Sequence, residues 1–248
     1  MGNATNIFDA IAGLALIAGS ALLLATAALK SPGARHARVS KEGGSAFLGE
    51  RLMHLGYGWI DILARGCARL GLSAATLSWL SLVLGGVSGA LAGAGLPGAA
   101  AWALALSGLG DGLDGAVARI QGTASRGGAV LDSALDRYVE FFLFAGLLWF
   151  FRHESLAQLV VVTALFGGFM VTYSTAKAEA LQTRPPRGWM KRAERLVWLA
   201  GGFAVSAAAG LAGWSPAPVL LTVCAIIALF ANVSAILRLR ALARAVRS

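Results

Sequence analysis

The chain has 248 residues, of which 57% are hydrophobic and only 13% charged, and its mean hydropathy is +0.71. These values exclude an ordinary soluble domain and indicate an integral membrane protein. The net charge of +9 does not call for nucleic acid as a partner, because Lys and Arg collect on the inner loops of any multi-pass membrane protein.

Seven apolar runs are long enough to cross the hydrocarbon core, for which roughly 20 helical residues are needed. None has the alternating pattern of a membrane strand, so we expect helices. The predicted spans are residues 6–29, 75–95, 98–121, 128–151, 155–181, 193–213 and 216–237. The first is interpreted as a retained helix, because Asn3, Asn6 and Asp9 stand where a signal peptide carries basic residues.

A polar connector at 31–49 leads into a segment at 50–70 that is too polar to span a membrane. Its apolar residues recur at helical spacing and are Leu52, Leu55, Trp59, Ile62, Leu63 and Cys67. The pattern predicts an amphipathic helix in the membrane interface, although a surface helix has the same pattern. We therefore expect an N-terminal transmembrane helix and connector at 1–49, then a membrane domain at 50–248 in which this helix precedes six transmembrane helices.

The basic residues fall on one side when the seven spans are placed in order. Nearly all of the 21 Lys and Arg residues lie in or near the linkers at 30–74, 122–127 and 182–192, or after residue 237. The positive-inside rule predicts that this side is cytoplasmic, with Met1 outside and the C-terminus inside.

Four aspartates interrupt the third and fourth spans, Asp111 and Asp114 in one and Asp132 and Asp136 in the next. Acids in hydrocarbon are rare and mark ion, proton or substrate sites. Their spacing puts each pair on one helix face, and a short antiparallel connection brings the pairs to one depth. Divalent cations suit such oxygen ligands, and two would cancel four charges. Glu140 lies one turn deeper and either adjusts the site or pairs with another helix.

Glycines surround the first aspartate pair. Gly108 and Gly112 have the spacing at which membrane helices approach closely. Glycine also lets a flat ligand reach the backbone, so helix packing and ligand access are both open interpretations.

The motif reads Asp111-x-x-Asp114-Gly115-x-x-Ala118-Arg119, then Gly128-x-x-x-Asp132-x-x-x-Asp136. It resembles the signature of the CDP-alcohol phosphatidyltransferase family at every defining position. The resemblance implies a six-span core with a preceding interfacial helix over residues 50–240. It also implies transfer of a phosphatidyl or other phospho-alcohol unit from a CDP-linked donor, such as CDP-diacylglycerol, to an alcohol, with release of CMP.

The resemblance further implies roles for individual residues. The metal ligands would be Asp111, Asp114, Asp132 and Asp136, holding two Mg²⁺ or Mn²⁺ ions. Asp136 would also be the general base for the attacking hydroxyl. The residues expected to bind CDP are Asp111, Asp114, Gly115, Ala118, Arg119, Thr123 and Ser125.

Basic residues at the end of the fifth span and after it resemble the segment that binds the acceptor phosphate in some family members. They are Lys177, Arg187, Arg192 and Arg195. Members that use inositol phosphate often carry another basic residue at the position of Thr175 and Arg at the position of Lys177. Inositol phosphate, glycerol 3-phosphate and a neutral alcohol therefore stay open as acceptors, and topology alone would place about half of these cations here.

The alternative function is an ion-coupled transporter, because acidic clusters also bind transported cations. Transporter sites lie near mid-membrane between inverted repeats, whereas these aspartates lie near one face in a single hairpin, which favours the enzyme. The resemblance also implies a bacterial inner-membrane protein with its site facing the cytoplasm. Together with the glycine-rich helix faces, it makes a homodimer plausible.

Overall fold

The structure, a computed structural model, describes residues 3–29, 49–183 and 188–246. Within these ranges the regular structure is entirely helical, as predicted. The helices are α1 (Asn3–Leu29), α2 (Gly49–Arg69), α3 (Ala74–Gly93), α4 (Pro97–Ile120), α5 (Arg126–Phe150), α6 (Ser155–Ala180), α7 (Arg192–Ala209) and α8 (Ala217–Ala245). A short 3₁₀ turn, Gly210–Ala212, extends α7.

Each predicted span coincides with one helix, and the integral membrane fold is confirmed. Five helices among the described residues are long and apolar enough to cross a membrane, namely α1, α3, α6, α7 with its 3₁₀ turn, and α8. Helices α4 and α5 have 24 and 25 residues and carry the four aspartates. The largest boundary error is in α8, which continues two turns beyond the predicted end at residue 237.

Local signals determine the turn between α4 and α5. Gly122 has a φ of +68°, the left-handed conformation that ends many helices. The Ser125 hydroxyl accepts a hydrogen bond from the Gly128 amide at 3.0 Å and caps α5. Asp114 and Asp132 each lie six residues from this turn, which at 1.5 Å per residue is a depth of about 9 Å.

Helix α3 holds both aspartate-bearing helices. Three of its serine hydroxyls donate to α4: Ser78 to Asp114, Ser81 to the Ser107 carbonyl and Ser88 to the Ala100 carbonyl. On the side facing α5 it carries small residues: a β-carbon added to Gly89 would overlap the backbone of Phe142. Within the described residues α4 and α5 make almost no direct backbone contact with each other. A gap therefore separates α4 from α5, and α3 packs against both helices.

The close helix packing lies at different glycines from those singled out by the sequence pattern. Gly108 faces open space, and Gly112 faces Ile60 of α2. The tight approach is instead between Gly89 of α3 and Gly146 of α5. A β-carbon added to Gly146 would overlap the backbone of Gly89, and one added to Gly89 would overlap the backbone of Phe142, one turn before Gly146. Among the described residues, packing against another span therefore does not account for Gly108 or Gly112.

Helix α2 packs one face against the end of α3 and α4 that carries the aspartates. Ala64 is fully buried there with Leu77, Leu113 and Val117. Trp59 and neighbouring apolar residues on the other face remain exposed, which agrees with an amphipathic helix. The side chains of residues 49–57, including two of the predicted apolar positions, lie outside the described part.

Helix α1 packs against α4 and α7. Both oxygens of its Asp9 carboxylate accept hydrogen bonds from the first turn of α4, from the Gly98 and Ala99 amides, each at 2.9 Å. Trp102 donates to the Ala12 carbonyl at 2.9 Å. The predicted domain division at residue 49 stays a prediction, since residues 30–48 lie outside the described part.

Candidate active site

Three of the four aspartates converge across the gap between α4 and α5. One carboxylate oxygen each from Asp111, Asp114 and Asp132 lies within 4.8 Å of the other two. Hard oxygen ligands that meet at this spacing could hold a divalent cation. The predicted metal ligands on the two helices are therefore brought together for these three residues.

Asp114 is firmly held by neighbouring groups. It is only 6% exposed, and Ser78 of α3 donates to its Oδ2 at 2.6 Å. The Gly115 amide approaches its Oδ1 at 2.5 Å. Such hydrogen bonds orient a carboxylate before a cation binds, so that less reorganisation is needed on binding.

Asp136 lies beside this cluster and is engaged by an arginine. Arg192, the first residue of α7, donates from Nη2 to Asp136 Oδ1 at 2.7 Å and from Nη1 to Asp111 Oδ2 at 2.9 Å. One guanidinium therefore joins α4 and α5. Its Nε is buried and has no hydrogen-bond partner.

A buried ion pair lies one turn below Asp136. Arg195 of α7 donates to both carboxylate oxygens of Glu140, at 2.5 and 2.9 Å, and these side chains are 0% and 2% exposed. Its Nη1 also donates to the Met190 carbonyl at 2.5 Å. Of the two roles open for Glu140, it thus pairs with another helix, since the ion pair with Arg195 links α5 to α7.

Arg238 is a candidate that the sequence interpretation missed. It is 4% exposed, donates from Nη2 to the Thr175 hydroxyl at 2.7 Å and lies near Arg195. Its buried Nε has no partner, and within the described ranges no carboxylate pairs with it. Buried cations without a counter-ion are costly, so this arrangement indicates an anion-binding site. Because Arg238 follows Ser234 at helical spacing on the buried face of α8, helical periodicity could have identified it.

The remaining predicted residues lie along the last turns of α4 and in the turn that leads to α5. Gly115 and Ala118 lie on α4, and a β-carbon added to Gly115 would meet only Arg119 Nη1, at 3.5 Å. Arg119 and Thr123 are exposed. Ser125 caps α5. Their proposed contacts with CDP stay predictions.

The three predicted acceptor residues that the structure describes have different surroundings. Arg192 contacts the aspartates, Arg195 is paired with Glu140, and Lys177 is exposed near the end of α6. Arg187 lies outside the described residues. Their role in acceptor binding stays a prediction.

The family model for CDP-alcohol phosphatidyltransferases matches residues 71–246, from the start of α3 to the end of α8. The chain therefore belongs to this family and is an enzyme of that class, a phosphatidyltransferase. Family membership also decides against the transporter interpretation. Helix α1 lies outside the matched region.

Curated relatives include a phosphatidylinositol phosphate synthase of Mycobacterium marinum, which is 37% identical over 163 residues, 62% of this chain and 68% of the relative. The synthase of Mycobacterium bovis is 40% identical over 99 residues, 39% of this chain. That match spans about half of the relative, 46% of its length.

Solved structures of the Mycobacterium tuberculosis phosphatidylinositol phosphate synthase are similar in fold. The form with CDP-DAG bound has a TM-score of 0.65 and 28% identity, covering 74% of this chain and 92% of that one. The complex with manganese and citrate has a TM-score of 0.67 and 29% identity, covering 74% and 88%.

Proposed function

We propose that this enzyme transfers the phosphatidyl group of CDP-diacylglycerol to the hydroxyl of an inositol phosphate and releases CMP. The observation that carries the proposal is the aspartate cluster bridged by Arg192 of α7. Arg195 follows Arg192 by less than one turn and lies near Arg238, a buried cation with no carboxylate partner among the described residues. A cation site joined in this way to buried arginines suits the joining of a pyrophosphate donor to a phosphorylated acceptor. The names of the mycobacterial relatives support inositol phosphate as that acceptor.

Two divalent ions, Mg²⁺ or Mn²⁺, are proposed to bind among Asp111, Asp114, Asp132 and Asp136. Bound there, they would polarise the donor pyrophosphate and stabilise the charge of the transition state. The manganese in the similar solved structure supports this ligand chemistry. Ser78 and the Gly115 amide hold Asp114 in position, and Gly115 leaves room for the nucleotide beside α4.

Asp136 is the proposed general base. The acceptor oxygen forms a bond to the phosphorus that carries diacylglycerol, and its proton passes to the Asp136 carboxylate. The phosphoanhydride bond to CMP breaks, and its electron pair leaves with CMP. Proton transfer of this kind contributes about 10²- to 10⁴-fold to rate.

We therefore expect Asp136→Asn to reduce turnover by about 10² or more while the protein remains folded and still binds donor. Turnover and binding of a CDP-diacylglycerol analogue are measured on the same preparation. Full activity in a folded Asp136→Asn enzyme would exclude Asp136 as the base.

The acceptor phosphate is proposed to bind Arg238 and Arg192. The Nε–H group of each is buried and makes no hydrogen bond to the described residues. Guanidinium groups favour phosphate because two parallel N–H groups match two phosphate oxygens. Lys177 and Arg187 are proposed to add positive charge for the acceptor phosphate, as the resemblance to the family implies. Arg195 is proposed to act through its pairing with Glu140, by fixing the start of α7.

The site is proposed to face the cytoplasm of a bacterial inner membrane, where the soluble acceptor is available. The basic residues at this end of the helices support that orientation. A homodimer is also proposed, on the resemblance to the family.

The acceptor is tested with purified enzyme, labelled CDP-diacylglycerol and Mg²⁺, by following CMP release and the new lipid. Inositol 1-phosphate, glycerol 3-phosphate, serine and inositol are supplied separately. We expect product with inositol 1-phosphate alone, and a strong increase in its KM in Arg238→Gln but not in the exposed control Arg240→Gln. Product with glycerol 3-phosphate or an uncharged alcohol instead would overturn the acceptor assignment.

A further inference from the structure

The carboxylates of the site are neutralised unequally. Asp111, Asp114 and Asp132 already converge, whereas the Asp136 carboxylate is bonded to Arg192, which also contacts Asp111. A cation placed next to Asp136 would lie beside the guanidinium and share its oxygen ligands. The two charges would then repel each other at short range.

We propose that Arg192 is an internal counter-ion that competes with the second divalent ion. In the ion-free enzyme its guanidinium neutralises Asp136 and Asp111. When an ion binds at Asp136, the guanidinium moves to the acceptor anion. The movement of Arg192 to the acceptor anion rests on the proposed function. The competition between Arg192 and the second ion depends on the aspartates alone.

The Arg192 side chain is held by fewer contacts than the Arg195 side chain. Its two ion pairs are the only hydrogen bonds of its guanidinium among the described residues, since Nε has no partner, and its side chain is 20% exposed. Arg195, less than one turn further along α7, is instead fully buried and held by Glu140 and Met190. The start of α7 is also fixed, because the Lys191 amide donates to Glu194 at 3.2 Å. Only the Arg192 side chain would have to rotate.

Charge balance gives the expected order of binding. Two divalent ions and Arg192 together would place five positive charges on four carboxylates. An acceptor phosphate that takes up Arg192 removes this excess. The second ion and the phosphate should therefore strengthen each other's binding, and by linkage they must do so by the same factor.

The test measures Mn²⁺ binding by the electron paramagnetic resonance signal of the free ion, with purified ion-free enzyme. We expect one tight site and one about tenfold weaker in the wild type, a ratio within the usual range of coupling between ligands. Arg192→Gln should tighten the second site to nearly match the first. Arg240→Gln, which removes an exposed charge from α8, should leave both unchanged. Inorganic phosphate should tighten the second site in the wild type and have no effect in Arg192→Gln.

An unchanged or weakened second site in Arg192→Gln would overturn the inference while leaving the proposed function intact. If the wild type bound no Mn²⁺ at all, the metal-dependent function would fail as well. Arg192→Lys serves if the glutamine variant does not fold. It keeps the charge but lacks the planar fork that bridges two carboxylates, so the second site should tighten to an intermediate extent.

Discussion

Asp114 depends on a hydroxyl from a helix that carries no acid. Ser78 of α3 reaches its Oδ2 at 2.6 Å, while the Gly115 amide approaches the other oxygen. The position of this carboxylate is therefore set by two helices, α3 and its own helix α4. Loss of a group that orients a metal ligand in this way commonly weakens metal binding strongly.

We expect Ser78→Ala to weaken Mn²⁺ binding and lower kcat/KM by about tenfold or more, as is typical when a hydrogen bond to a metal ligand is lost. The matched control is Ser81→Ala on the same helix, whose hydroxyl contacts Ser107. The control should affect thermal stability without changing Mn²⁺ affinity. Equal Mn²⁺ affinity in Ser78→Ala and the wild type would contradict this role of Ser78.

The aspartate motif and its metal-ligand chemistry could be predicted from the sequence because acids inside apolar runs are rare. Arg238 could not be separated from its neighbours by charge alone, since many basic residues follow the last apolar run. Its helical spacing from Ser234 would have separated it, but only if α8 is continued past the predicted end at residue 237 to Ala245. Likewise the pairing of Arg192 with Asp111 and Asp136 joins positions that no sequence spacing connects.

Between elements, the ion pair of Glu140 and Arg195 ties α5 to α7. Both side chains are buried, and Arg195 also bonds to Met190, which has a positive φ of 55° in the loop before α7. The pair therefore sets the position of Arg192 relative to Asp136. Removing one partner would leave the other charged and buried.

We expect Glu140→Gln to destabilise the enzyme by about 3–5 kcal/mol, the usual cost of breaking a buried pair. Thermal unfolding in detergent measures the effect. The double variant Glu140→Leu with Arg195→Met should recover most of the stability, because no unpaired charge remains. If the single and double variants unfolded at the same temperature, the loss would not come from an uncompensated charge.

Helix α1 supplies a side-chain cap for the first turn of α4. The N-cap residue Leu96 supplies no side-chain hydrogen bond, and Asp9 of α1 accepts from the Gly98 and Ala99 amides instead. A carboxylate at a helix N-terminus also interacts favourably with the helix dipole. Helix α1 is therefore packed into the enzyme as a cap for the helix that carries Asp111 and Asp114.

We expect Asp9→Ala to lower the free energy of unfolding by about 1–2 kcal/mol, as for the loss of other helix caps. The Asp9→Asn variant keeps one acceptor oxygen and should lose less. Both should retain their KM for donor at a temperature where they are folded. Wild-type unfolding behaviour in Asp9→Ala would show that α4 does not need this cap.

The lateral arrangement of the helices was harder to predict than their order. Short connections indicated antiparallel neighbours, and the depths of Asp114 and Asp132 followed from the turn at Gly122. The same connections do not reveal that α3 lies against both α4 and α5. That depends on Gly89 and Gly146, which sit in apolar runs where glycine is common.

On the scale of the whole molecule, the two ends of the aspartate-bearing helices carry exposed positions that report on orientation in the membrane. The exposed residue Gln121 follows α4 at the aspartate-bearing end, and the exposed residue His153 follows α5 at the opposite end. The positive-inside rule predicts that the first is cytoplasmic and the second external.

We expect a cysteine at position 153 to react with an impermeant thiol reagent in intact spheroplasts. A cysteine at position 121 should react only after permeabilisation. Both are introduced as His153→Cys and Gln121→Cys in a background where Cys67 and Cys224 are replaced by alanine. The reverse labelling pattern would invert the proposed orientation.

The contact between α1 and α4 has a consequence for comparative genomics. A β-carbon at Gly98 would overlap the backbone of Asp9, and one at Gly13 would collide with Ala204 and Ala207 of α7. Homologous genes that encode the additional leading helix should therefore keep glycine at both positions. Homologues without that helix are free of this restriction, so glycine at position 98 becomes a marker for seven-span members in genome surveys.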